Sequence, residues 1–155
     1  MPTPDANVES LVNEALAVVR SDRLPYLATV EGDQPRLRPV TPVKTDGFIV
    51  YIANLRTHSK TAEIEANPRV ELCYLDGHND QVRITGRAEA VDDPALRDEF
   101  AASAHFLPRS IQGLTSPDFM LYRIIPTRVR FMKGWALAYE DVPIPGGATE
   151  SGTGD

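Results

Sequence analysis

The sequence predicts a mainly β protein: a small antiparallel barrel of about six strands with helices at its ends. Three observations carry this. Short strand-like segments recur along the chain, separated by Gly-, Pro-, Asn- and Asp-containing turns. Helical periodicity is confined to a segment near the start, a short one in the middle and one after Asp93. A length of 155 residues suits one domain with a real core. Closing the sheet into a barrel would hide its edges.

Residues 1–6 are expected to be a loose tail. Val8, Leu11, Val12, Ala15, Leu16 and Val19 recur at helical spacing, so an amphipathic helix is predicted over residues 7–20, its apolar stripe against a sheet. YLATV (Tyr26–Val30) reads as a strand and EGDQ as a turn. PRLRPVTPV (Pro35–Val43) then returns as a second, antiparallel strand. Alternation puts Arg36, Arg38 and Val40 on one face, with Leu37, Pro39 and Thr41 on the other. Pro39 and Pro42 remove ladder donors, which predicts an irregular or edge strand. After a turn at Asp46-Gly47, FIVYIAN (Phe48–Asn54) shows little alternation and predicts a third strand buried on both faces.

Ser59–Ala66 is predicted to be a short helix. Asn67-Pro68 ends it, with Asn67 suited to a left-handed cap. VELCYLD is a fourth strand, DGHND a loop and QVRITGRAEAV a fifth strand. Asp92-Asp93-Pro94 opens a helix running to about His105. FMLYRII and RVRFMKG are late strand segments with a break at Pro126. The Gly/Ser/Thr-rich end predicts disorder, so the domain is placed at residues 1–143 and the tail at 144–155.

Composition is that of a soluble globular protein, 42% hydrophobic and 25% charged. No apolar run approaches the roughly 20 residues of a membrane span. Pro2, Pro4, Asp5 and Glu9 stand where a signal peptide would be apolar. Cys73 is the single cysteine, which excludes an intrachain disulfide and makes cytoplasmic residence the default expectation. In VELCYLD it reads as a packed strand residue. A net charge of −6 argues against nucleic acid or an anionic membrane as partner. An anionic ligand would need a local positive pocket. His58, His78 and His105 lack metal-ligand spacing, so no metal site is expected. No catalytic acid, base or nucleophile stands out.

Arg36 to Val70 supplies such a pocket. The first turn of the helix at THSK offers free N–H groups and a partial positive charge. Thr57 and Ser59 add hydroxyls, and Lys60 adds a full charge. This can hold a phosphate; taken alone, it fits an ordinary capped surface helix as well. Arg36 and Arg38 add forked donors suited to phosphate. If the second strand lies beside the third, those donors converge with Thr57–Lys60 on one anion.

QPRLRPV, FIVYIAN, HSKTAEIEANPRVEL and QVRITGRAE together resemble the FMN-binding split-barrel family typified by pyridoxamine 5′-phosphate oxidase. The resemblance covers Leu24 to Val91 and, more weakly, residues 119–135. It implies a homodimer of split barrels with one FMN at each end of the subunit interface, acting as an oxidoreductase on a small molecule. By match to the family's motifs, Arg38, Pro39, Val40 and Thr41 would line the flavin, with Arg38 reaching its phosphate. Ile52 and Ala53 would lie near the cofactor at the end of the third strand. Ser59 and Lys60 occupy the family's phosphate-binding pair, although Arg often stands at Ser59. Gln81 stands where a family glutamine contacts the flavin. Trp135 is a cover for the flavin, a cap on the dimer pocket or a core residue.

The departures point away from the oxidase itself. Val43 matches its substrate-phosphate lysine, with Lys44 one place off, and one residue in a strand reverses the face. HFLPRSIQG (His105–Gly113) is a loose echo of its substrate segment. Met132 stands where that family has a flavin-contacting tryptophan. The chain thus resembles the shorter general-stress-protein-like members, and its substrate is not specified. The alternative reading is a non-catalytic flavin- or haem-binding split barrel. A deazaflavin, with its acidic tail, suits this acidic chain poorly.

Overall fold

The computed structural model describes residues 3–102 and 119–146. In chain order the elements are α1 (Pro4–Ser21), β1 (Tyr26–Glu31), β2 (Gln34–Pro39), β3 (Lys44–Asp46), β4 (Ile49–Leu55) and α2 (Ser59–Ala66). They continue with β5 (Arg69–Leu75), β6 (Gln81–Ala90), α3 (Pro94–Ala102), β7 (Phe119–Met132) and β8 (Glu140–Val142). All strand pairings are antiparallel. The sheet runs β2-β1-β5-β6-β7-β4-β3, with β8 added to β7. β3 and β8 raise the strand number to eight from the six expected. The hydrogen-bonded path does not close: β2 and β3 are its two ends. This corrects the closed barrel.

The N-terminal segment is not a loose tail up to residue 6. Thr3 caps α1 by accepting a hydrogen bond from Ala6 N–H at 3.3 Å, and Pro4 fits the first helical turn. Ala15, Val18 and Val19 are buried, and α1 lies over β5, β6 and β8.

The second strand is shorter than predicted. β2 pairs with β1 from Gln34 to Pro39 and forms one end of the sheet, as its prolines require. Beyond Val40 the chain leaves that ladder. Val43 N–H donates to Tyr51 C=O at 2.9 Å, and Lys44–Asp46 pairs with β4 at the other end of the sheet. The predicted second and third strands are therefore not neighbours.

β4 is buried on both faces. Val50 and Ile52 join the main core with Leu27, Leu72, Ile84 and Ile124, while Tyr51 joins Phe100, Phe119 and Leu121 in a second cluster. β7 runs unbroken through Pro126. A register shift opposite Thr85 and Gly86 leaves Thr127 as the extra residue, and the missing proline N–H falls at that irregularity. Gly86 is required there, because a Cβ would stand 2.5 Å from Ile125 C=O.

At the end of α2, Asn67 is extended (φ −146°), not left-handed, and its Oδ1 accepts from Arg69 N–H at 3.1 Å. Asp93 opens α3, its Oδ1 accepting from Ala95 N–H at 3.0 Å. The rest of that helix toward His105, and the His105–Gly113 segment, lie outside the described residues. Ile144 packs on the main core, beyond the expected boundary at residue 143, while residues 147–155 lie outside the description. Among the described residues no helix is long and apolar enough to cross a membrane.

Candidate functional site

α2 packs on the inner face of β1, and this contact builds the site. Register places Arg38 opposite Leu27 and Arg36 opposite Thr29. Both arginines thus start from the face that α2 covers. They then diverge. Arg36 stays exposed and pairs with Glu31 at 3.1 Å. Arg38 turns beneath the helix. Its Nη2 donates to Glu63 Oε2 at 2.8 Å, and its Nη1 donates to Thr29 Oγ1 at 2.7 Å and Leu27 C=O at 3.3 Å. The Thr29 hydroxyl donates to the same Glu63 oxygen at 2.8 Å. A buried carboxylate on the helix therefore anchors an arginine from the edge strand.

Above this network Arg38, Thr57, His58, Ser59 and Lys60 line one open cavity of about 370 Å³. No side chain caps α2. The His58 ring turns back, its Nδ1 accepting from Leu55 N–H at 3.2 Å. The N–H groups of Ser59 and Lys60 have no intrahelical acceptor, as in any first helical turn. Arg38 is matched by Glu63, but among the described residues no carboxylate lies within ion-pair distance of Lys60. Burial and the nearby Arg38 charge hold the Lys60 ammonium below the usual lysine pKa. The cavity thus carries one uncompensated cation, helix-terminal N–H groups and hydroxyls. That set of donors suits a phosphate.

Of the expected site residues, the structure brings together Arg38, Ser59 and Lys60. Pro39 and Thr41 are exposed, and Val40 is buried in the main core. Ile52 is also in that core, and Ala53 packs on the second cluster. Gln81 and Trp135 do not line the cavity. Gln81 Oε1 accepts from the Tyr139 hydroxyl at 2.9 Å. The Tyr139 ring is flanked by Arg83 and Arg130, which both pair with Glu71 at 3.0 Å. Trp135 is 86% exposed, so it is not a core residue of this chain. Lys44 pairs with Glu99 at 3.6 Å, while Val43 packs on the second cluster.

Sequence reasoning missed Glu63 and Thr29. The helical spacing of Ser59 and Glu63 was the available signal, since residues four apart share a helix face. The inward position of Thr29 follows from strand alternation beside Leu27.

The model of the family described as pyridoxamine 5′-phosphate oxidase matches residues 11–133, most of the chain. This chain belongs to that family. No curated protein matches the sequence. A NimC/NimA family protein from Clostridium acetobutylicum has the same fold, with a TM-score of 0.69, 22% identity, and coverage of 84% of this chain and 90% of that one. General Stress Protein 26 from Bacillus anthracis superposes with a TM-score of 0.67 at 20% identity, covering 84% of this chain and 98% of its own. A heme binding protein from Mycobacterium smegmatis gives a TM-score of 0.67 at 18% identity over 84% of this chain and 56% of that one. At these identities the three structures speak for the split-barrel fold alone.

Proposed function

We propose that this member of the pyridoxamine 5′-phosphate oxidase family binds FMN and acts as a flavin-dependent oxidoreductase on a small molecule. The observation that carries the reading is the shared cavity of Arg38 and Lys60, reached from two separate segments. Lys60, Ser59 and the first N–H groups of α2 would hold the phosphate, with Arg38 at its edge fixed by Glu63. Bound FMN would supply the hydride chemistry, and the protein binds and positions it. That division accounts for a site without an acid/base pair.

Gln81 and Trp135 belong to this reading only through a second subunit, because within one chain they lie away from the cavity. Support for a homodimer comes from the outer face of the sheet. Tyr26, Leu37 and Leu75 share that face and are at least half exposed, the kind of apolar patch that marks an interface. The flavin would then sit between the two copies.

Haem is the second reading, suggested by the M. smegmatis structure. His58 is the histidine lining the cavity. Its Nδ1 accepts a hydrogen bond, so the neutral ring carries its proton on Nε2. A donor there suits a phosphate oxygen better than an iron. Reconstitution with FMN and with haem, each followed by gel filtration and a visible spectrum, separates the two. A flavin spectrum retained by the protein is expected. Retention of haem and loss of FMN would reverse the assignment.

A further inference from the structure

The chain has three lysines, and the structure sets one of them apart. Lys44 pairs with Glu99 at 3.6 Å and Lys133 with Glu14 at 3.4 Å. Each carboxylate favours the protonated ammonium, which has no lone pair to give. Lys60 has no carboxylate within ion-pair distance among the described residues. It is partly buried and lines one cavity of about 370 Å³ with Arg38, Thr57, His58 and Ser59. Burial, and to a lesser degree the Arg38 charge, lower its pKa, so more of Lys60 is free amine at a given pH than of an ordinary lysine. Desolvation and a neighbouring cation are the two ways a lysine is made nucleophilic. A reactive amine and donors suited to a phosphate thus share one space. Holding a phosphate uses the ammonium form of Lys60 and leaves the amine form without a part.

We propose that Lys60 is a site of acylation by acyl phosphates, compounds in which a phosphate is bonded to a carbonyl carbon. The proposal rests on the phosphate reading of this cavity. Arg38 and the Ser59 hydroxyl would hold the reagent's phosphate and so bring its carbonyl carbon to Lys60 Nζ. The nitrogen lone pair forms an amide bond to that carbon. The bond from carbon to the phosphate oxygen breaks, and its electron pair leaves with inorganic phosphate, which takes up the proton lost by the amine. No other reactant is needed. The amide is neutral, so acylation removes the unmatched cation of the cavity and weakens its hold on the next phosphate. Flavin binding would thereby respond to the supply of acyl phosphates.

The test treats the full chain with acetyl phosphate and, separately, with the uncharged acetyl ester of N-hydroxysuccinimide. Peptide mass spectrometry follows acetylation at Lys44, Lys60 and Lys133, the two ion-paired lysines serving as references. The rate at Lys60 relative to Lys133 is expected to be about tenfold higher with acetyl phosphate than with the ester, because only the former is held by its phosphate. Saturating inorganic phosphate is expected to abolish that excess. Equal ratios with the two reagents, or an excess that survives saturating phosphate, would overturn the acylation site. An FMN titration of the untreated chain keeps the two readings apart. FMN binding without the Lys60 preference would overturn acylation alone, and the absence of both would overturn both.

Discussion

Arg38 and Glu63 meet at 2.8 Å, joining the edge strand of the sheet to the short helix beside it. The consequence falls on a third residue. With Arg38 neutralised, Lys60 stands as the uncompensated charge of the cavity. In the proposed site each residue of the trio has a distinct part: Glu63 would fix Arg38, Arg38 would donate at the phosphate's edge, and Lys60 would supply the unmatched charge.

The first prediction concerns the cost of that charge. Burial, and to a lesser degree Arg38, lower the Lys60 pKa in the folded chain, so below that value the folded state carries the cost of a partly desolvated ammonium. The penalty is fully present below the folded pKa and is relieved as pH rises through it toward the unfolded value. Lys60→Met is therefore expected to raise the urea midpoint of the ligand-free protein at pH 7. The gain should shrink at alkaline pH, and phosphate affinity should fall. A lower midpoint at pH 7 would contradict the assignment.

Removing Glu63 should do the opposite to stability. Glu63→Ala leaves the Arg38 guanidinium, 24% exposed, without its carboxylate. The expected loss is roughly 2 kcal/mol, at the lower end for a broken buried pair because Arg38 is partly solvated. Urea unfolding of Glu63→Ala and of the double variant Arg38→Met/Glu63→Ala checks this. The double variant should cost less than the sum of the single changes, since the stranded charge is gone.

Gly86→Ala tests the β6–β7 crossing. The added methyl would stand 2.5 Å from Ile125 C=O and 3.0 Å from the Ile124 side chain. A loss of about 1–3 kcal/mol is expected, read as a lower thermal midpoint, because backbone cannot yield as a side-chain tip can. An unchanged midpoint would show that Pro126 and its neighbours shift freely.

Much of the fold could be read from local pattern. The stripe from Val8 to Val19 marked α1, short strand-like runs between turn residues marked β1, β5 and β6, and Asn67-Pro68 marked the end of α2. The departures arose where pattern and topology separate. Pro39 and Pro42 were correctly read as ladder breakers, yet nothing local reveals that the chain then crosses to the opposite end of the sheet. Pro126 looked like a break because its missing donor was visible and the compensating irregularity opposite Gly86, on another strand, was not. In the site, Ser59 and Lys60 were legible as a helix start and Arg38 as a forked donor. Their convergence depends on α2 lying over β1, a tertiary fact. Glu63 escaped notice because a glutamate on a short helix reads as solvated until something covers it.

The central claim is that Arg38 and Lys60 act on a single phosphate. Riboflavin differs from FMN only in lacking that group, so the direct test is the affinity of both for the native chain and for Arg38→Met and Lys60→Met. Each substitution should weaken FMN by about 1.5–3 kcal/mol, the size of a charge-assisted hydrogen bond, and leave riboflavin unchanged. Equal losses for both flavins, or none for FMN, would contradict the account.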